Sequence, residues 1–210
     1  MLATTLVRGG CTNIVLFDHD GKEPENVCRS DYRFSSGILD KVSDLSMELT
    51  AISPFAEVLT NQRFIDFAKI GINDDRWKDT LTQSLNEYDI IFDCTADNDV
   101  AHILDQLSAR CKIFNLSITN HAKELVCSVS PDSYRWAMEM FEKLENDVED
   151  LYNPAGCWSP TFKASYNDIA VLVQYAIKHI NTCFESDLPV RNFFLSTQSD
   201  KGFTIKLSQF

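Results

Sequence analysis

Asp18 closes a short apolar run, Ile14-Val15-Leu16-Phe17, and a loop dense in charge follows it, with Asp20, Glu23, Glu25, Asn26 and Arg29. An acid that ends a buried strand is placed to accept hydrogen bonds from ribose hydroxyls, because α/β proteins bind ligands at the carboxyl ends of parallel strands. The plainer alternative is a loop acid that solvates a strand end. Lys41 stands near the start of an amphipathic segment, where a helix N-terminus favours phosphate; otherwise it is a solvated helix lysine. The segment Asp93-Cys94-Thr95-Ala96-Asp97-Asn98 puts acids just past a second apolar run. Cys157 lies in Gly156-Cys157-Trp158-Ser159-Pro160-Thr161-Phe162, ahead of a long helix. A thiolate there would be a nucleophile favoured by the helix N-terminus. A buried structural cysteine beside Trp158 is an equal alternative.

The elements that must position these residues alternate. Leu2–Val7 reads as the tail of a helix, with Arg8-Gly9-Gly10 as its stop signal. Residues 13–17 read as a buried strand. Ile38, Val42, Leu45, Leu49 and Ile52 recur at helical spacing and predict a helix over about 37–52, ended by Ser53-Pro54. A strand follows at about 55–60, a weaker helix at 75–86, and a strand over Tyr88–Cys94. Val100, Ile103, Leu104 and Leu107 share one face of a helix over 98–109. Strands are expected at Lys112–Ile118 and Leu125–Val129, then helices at about 132–149 and 165–182. Two strand-like pieces, Arg191–Ser196 and Phe203–Leu207, close the sequence around a hairpin turn at 199–202. This order predicts one α/β domain over residues 1–210, a mostly parallel Rossmann-like sheet with helices on both faces and antiparallel strands at the C-terminal end.

Composition narrows the function classes. A formal net charge of −12 argues against a nucleic-acid or anionic-membrane surface. ATP remains compatible, since one local Arg and Lys suffice. The seven cysteines form no C-x-x-C pair, so the usual structural zinc signature is absent. Reduced thiols in a cytoplasmic protein fit this odd number best. The start, MLATTLVRGG, lacks a basic signal-peptide region, and no apolar run is long enough to span a membrane. His19, His102, His121 and His179 show no metal-ligand spacing, and the acidic run Glu142–Asp150 reads as a solvated helix face.

The order strand, Asp-x-Asp, loop, Asn-x-x-Arg resembles the ThiF/MoeB/HesA family, the adenylating fold of ubiquitin-like-protein activating enzymes. The resemblance implies that Asp18 and Asp20 belong to the ribose-binding loop, that Arg29 contacts the triphosphate, and that Asn26 holds the loop or contacts phosphate. Lys41 matches the family lysine, although Gly37-Ile38-Leu39-Asp40-Lys41 is one residue longer than the family's G-x-P-K and lacks its proline. Asp97 matches the Asp of the family's D-x-T-D-N, which binds Mg²⁺ and ATP. Ala96 is an insertion in that pattern and leaves Asp93 as the alternative. The G-C-W-x-P-T-F turn is similar to a family branch of bacterial ubiquitin-like systems, and there Cys157 would carry a thioester. The resemblance covers nearly the whole chain. The family's first strand and G-x-G-x-x-G loop, which precede the segment reading LATTLVRGGCTNIVLFD, are expected to be missing.

The implied activity is ATP- and Mg²⁺-dependent adenylation of the C-terminal carboxylate of a ubiquitin-like or sulfur-carrier protein, with Arg29, Lys41 and Cys157 as the catalytic candidates. A homo- or heterodimer is the implied assembly. Two rival expectations stand beside it: a catalytically impaired partner subunit or fragment of such an enzyme, and an NAD-binding Rossmann oxidoreductase.

Overall fold

The computed structural model describes residues 1–27, 30–33, 40–61, 74–144, 164–198 and 202–210. Helix α1 spans Leu2–Arg8 and stops at Gly9-Gly10, where Gly10 takes a φ of 99° that a side chain would strain. Strand β1, Asn13–Phe17, matches the apolar run read from the sequence. A short helix α2, Pro24–Val27, lies in the charged loop, and helix α3 runs over Lys41–Ile52. Asp40 caps α3 by accepting from the Ser43 N–H at 2.8 Å. Strand β2, Glu57–Asn61, pairs in parallel with β1, from Asn13 opposite Glu57 to Phe17 opposite Asn61.

The second sheet carries most of the core. Helix α4 (Asp75–Leu85), strand β3 (Ile90–Asp93), helix α5 (Asn98–Gln106) and strand β4 (Lys112–Thr119) lead into it. A 3₁₀ turn at Asn120–Ala122 connects to strand β5 (Glu124–Val129). Helices α6 (Ser133–Lys143) and α7 (Tyr166–Glu185) and strands β6 (Phe193–Gln198) and β7 (Thr204–Gln209) complete the described chain. The spatial order is β3-β4-β5-β6-β7. β3 and β4 are parallel, and every pairing from β4 onward is antiparallel. The fold class is therefore the α/β arrangement expected, parallel in its N-terminal half and antiparallel in its C-terminal strands. Among the described residues, no strand pairs with the second edge of β1 or of β3. The rings of Phe17 and Tyr88 meet edge to face, with centroids 6.0 Å apart, and join the two sheets.

Helices cover both faces of the β3–β5 layer. On one face α7 lays Leu172, Val173, Ala176, Ile177 and Ile180 against Phe114, Leu116, Leu125, Cys127, Phe193 and Leu195. On the other, Leu81 and Leu85 of α4 and Val100, Ile103 and Leu104 of α5 cover Ile91 and Ile113. A fully buried leucine such as Leu172 or Leu195 contributes roughly 1.5–3 kcal/mol relative to exposure. Helix α7 starts at a capping box in which Ser165 and Asp168 serve each other's backbone N–H.

The charged loop after β1 is fastened to α3 by a buried ion pair. Lys22 Nζ lies 3.1 Å from Asp44 Oδ2 and donates to the Arg33 carbonyl at 2.8 Å. Both side chains are almost wholly withdrawn from solvent, at 4 % and 2 % exposure. Breaking such a pair strands a buried charge, whereas replacing both partners by apolar groups does not. Asp44→Ala is expected to cost about 3–5 kcal/mol in urea denaturation. The double variant Lys22→Met, Asp44→Leu should recover most of that loss; an equally unstable double variant would show that the pair does more than neutralise itself.

Candidate functional site

The acids of the first loop gather at the carboxyl end of β1. Asp18 is half-buried, and its Oδ1 accepts the Asp20 N–H at 2.9 Å, which turns the chain back sharply. The Asp20 carbonyl accepts the Lys41 N–H at 3.0 Å, and the Asp20 carboxylate binds Lys41 Nζ at 2.7 Å. Gly21 and Asp40 form an antiparallel bridge beside this contact. The loop therefore folds onto the N-terminus of α3, and the structure brings Asp18, Asp20 and Lys41 together. His19 Nε2 approaches Asp20 Oδ1 at 3.6 Å. Asp18, His19 and Asp20 each offer a ligand atom within 4.8 Å of the others. They are the one such group of three among the described residues, and Asp97 is not part of it.

Asn26 is buried, and its amide works inside the loop. Its Oδ1 accepts the Glu23 N–H at 3.0 Å, and its carbonyl accepts Ser30 Oγ at 2.5 Å. Both of these bonds lie within the loop and hold it closed. Arg29, Gly37 and Cys157 lie outside the described residues.

A second set of polar groups sits at the carboxyl end of β3. Asp97 caps α5, its Oδ1 accepting from the Asp99 and Val100 N–H groups at 2.9 and 3.2 Å. Asp93 is buried and stitched into the strand end. Its Oδ1 accepts from Thr95 N and Thr95 Oγ1 at 3.0 and 2.7 Å, and its Oδ2 from Asn115 Nδ2 at 2.8 Å. Thr95 Oγ1 in turn accepts the Asp97 N–H at 3.2 Å. Ala96 takes a left-handed φ of 53° in the turn between the two acids. Cys94 follows Asp93 at the carboxyl end of β3. Burial of the thiol and the adjacent Asp93 carboxylate push it up to about 12. Burial likewise raises the Cys127 thiol well above its ordinary value, so neither sulfur is a thiolate at neutral pH.

Several participants were not singled out by sequence reasoning. Lys22 and Asp44 fasten the loop. Asn115, Ser117 and Ser128 form a polar row under α5 and α6, at a chamber of about 20 Å³ that also reaches Asp93 and Asp97. The signal for the row was present in β4, where Asn115 and Ser117 alternate with Phe114, Leu116 and Ile118. A larger cleft of about 430 Å³ opens among α1, α3 and α7, lined by Arg8, Asp31, Arg33, Glu48 and Tyr166. Its acids are engaged: Tyr166 Oη donates to Asp31 at 2.9 Å, and Arg33 Nε pairs with Glu48 at 2.6 Å. Neither of these two cavities is lined by Asp18, Asp20, Lys41 and Asp97 together.

No family model and no curated protein matches the chain. Solved structures do. The chain superposes on E. coli MccB bound to ATP with a TM-score of 0.60 and 16 % identity, covering 99 % of this chain and 59 % of MccB. For E. coli MccB with MccA the TM-score is 0.63 and the identity 14 %, over 99 % and 59 % of the two chains. For PaaA the values are 0.55 and 16 %, over 99 % and 68 %. The chain thus shares the Rossmann-like α/β architecture of these structures. At such identities the likeness establishes architecture alone, and the chain spans less than two thirds of MccB. Among the described residues, no helix is long and apolar enough to cross a membrane.

The capping role of Asp97 can be tested by substitution. Asp97→Ala, which deletes the cap of α5, should cost about 1 kcal/mol in chemical denaturation. Asp97→Asn, an equally good cap, should stay within a few tenths of a kcal/mol of the parent. Equal losses in both variants would mean that the carboxylate charge, rather than the cap, stabilises the turn.

Proposed function

We propose that the chain is a single adenylating domain that binds ATP and activates the C-terminal carboxylate of a small protein or peptide, of the ubiquitin-like or sulfur-carrier kind. The observation that carries this reading is the cluster of Asp18, Asp20 and Lys41 at the carboxyl end of parallel strand β1, in a fold shared with an ATP-bound neighbour. Such strand ends are where open α/β sheets receive nucleotides. MccB has also been crystallised with AMPCPP and MccA together, which supports a nucleotide and a peptide or protein meeting on one enzyme of this fold.

In this reading Asp18 accepts hydrogen bonds from the ribose. Lys41, with Arg29, offers donors to the phosphates; Asn26 keeps the loop closed beneath them. The substrate carboxylate oxygen attacks the α-phosphorus, the bond to the β-phosphate oxygen breaks, and pyrophosphate leaves with the electron pair. A hard divalent cation such as Mg²⁺ takes oxygen ligands and would spread the triphosphate charge. The turn that carries Asp97 and the Asp18–Asp20 pair both supply carboxylate oxygens, so the donor chemistry fits. Cys157 is the candidate for a later thioester, and dimerisation and a cytoplasmic setting belong to the same proposal.

Calorimetric titration of the chain with ATP and Mg²⁺ tests it. Saturable binding is expected, weakened roughly tenfold or more in Lys41→Ala, the loss of one charge-assisted hydrogen bond of about 1.5–3 kcal/mol. Asp97→Asn should weaken the Mg²⁺-dependent part without unfolding the domain. A folded chain that takes up no ATP overturns the reading. Binding without substrate-dependent exchange of pyrophosphate into ATP would assign this chain the nucleotide site of a partner subunit, not the whole reaction.

A further inference from the structure

Asp93, Asn115 and Ser128 lie directly opposite one another across β3, β4 and β5, so their side chains share one face of the sheet. Ser117, two residues beyond Asn115, belongs to the same face. That face is partly covered: Ala101 and Leu104 of α5 and Ala137, Met138 and Phe141 of α6 roof it, leaving Asn115 and Ser117 half-buried and Ser128 fully buried. A polar row under an apolar roof is costly unless each group finds a partner. Most do. Asn115 Nδ2 donates to Asp93 at 2.8 Å, and Ser117 Oγ donates to Asn115 Oδ1 at 2.9 Å. Ser128 does not. It has no exposed surface, and its Oγ has no hydrogen-bond partner among the described residues.

The chamber that Ser128 lines has a volume of about 20 Å³, bounded by Asn115, Ser117, Ser133 and Asp93 as well. A water needs about 10–15 Å³ by this measure and two to four polar partners. Ser128 offers a donor and an acceptor, Asn115 keeps its second amide hydrogen, and Ser117 Oγ can still accept. We propose that this chamber is an internal binding site for one ordered water, held by Ser128, Asn115 and Ser117. The water closes a hydrogen-bond row from β5 through β4 to Asp93, and from Asp93 through Thr95 to Asp97. The site is a property of the sheet and does not depend on nucleotide binding.

Nuclear Overhauser contacts between water and the Ser128 and Asn115 side chains test the proposal in the nucleotide-free chain. One long-lived water in contact with both residues is expected, and it should vanish in Ser128→Val, whose methyls fill the space. Should Ser128→Val not fold, Ser128→Ala serves in its place: a water contact at Asn115 that weakens or exchanges faster supports the site. A folded parent chain with no water contact at Ser128, or a contact unchanged in Ser128→Ala, overturns it. Because no ATP is present, this outcome is separate from the adenylation reading.

Discussion

Everything at the carboxyl ends of the central strands depends on one constraint: the β3–β4–β5 layer is covered by helices on both faces, so each of its side chains must be apolar or hydrogen-bonded. On the α7 side the constraint is met by hydrocarbon, with Phe114, Leu116, Leu125 and Cys127 at 8 % exposure or less. On the other side it is met differently along the strands. Ile91 and Ile113 pack under α4 and α5, and then the face turns polar at Asp93, Asn115, Ser117 and Ser128. The change of chemistry occurs where β3 ends and its chain must turn. The Asp93 carboxylate uses its oxygens to fix that turn, and this frees the following residues to adopt the left-handed step at Ala96 that brings Asp97 onto the first turn of α5.

The loop after β1 faces the opposite problem. It has little hydrocarbon to bury, and its residues are charged. It is ordered by electrostatics instead: the buried Lys22–Asp44 pair on its inner side and the exposed Asp20–Lys41 pair on its outer side. The two are not equivalent. The inner pair is enclosed, so either member alone would be an uncompensated charge. In the outer pair the Asp20 side chain is 55 % exposed, and exposed pairs stabilise by about 0–1 kcal/mol. The inner pair is anchorage, and the outer one is exchangeable.

Most of the fold was legible because the apolar runs are cleanly bounded. β1 stops at Asp18, and α1 stops at Gly9-Gly10, both as read. Helix α5 was read through Ala109 but ends at Gln106, because Leu107 leaves the helix in an extended conformation to reach the core beside Cys111. Periodicity cannot see that turn, since Leu107 is apolar and in phase either way. The short helix α2 holds too few residues for any period to show. The turn Asn120–Ala122 takes three successive positive φ values without a glycine to announce it. For the site, Asp18, Asp20 and Lys41 were singled out by type and order, although the ion pair between Asp20 and Lys41 was not. The buried pair was not, because Lys22 and Asp44 look like any solvated loop lysine and helix acid. Asn115 and Ser117 alternate with Phe114 and Leu116 and are half-buried, whereas Ser128 opposite Asn115 is fully buried, which the apolar run of β5 does not announce.

The distribution of charge also constrains how an anionic ligand could enter. With a net charge of −12, the chain gives a triphosphate no general attraction, so the favourable terms must be local. Lys41 reaches the Asp18-Asp20 turn, and it is already held by Asp20 at 2.7 Å. A phosphate arriving there does not need a vacant lysine. It needs one whose present partner stabilises the folded state only slightly, and the exposure of Asp20 meets that condition. Once Lys41 turns to the phosphate, Asp20 is released next to Asp18 and His19, whose ligand atoms already converge. The local negative charge thus rises beside the incoming nucleotide, and repulsion would follow unless a divalent cation bridged the carboxylates and the phosphate oxygens. If the loop serves as the proposed nucleotide site, nucleotide and cation uptake would be coupled by electrostatics, and the coupling would follow from which of the two lysine pairs, inner or outer, is open to solvent.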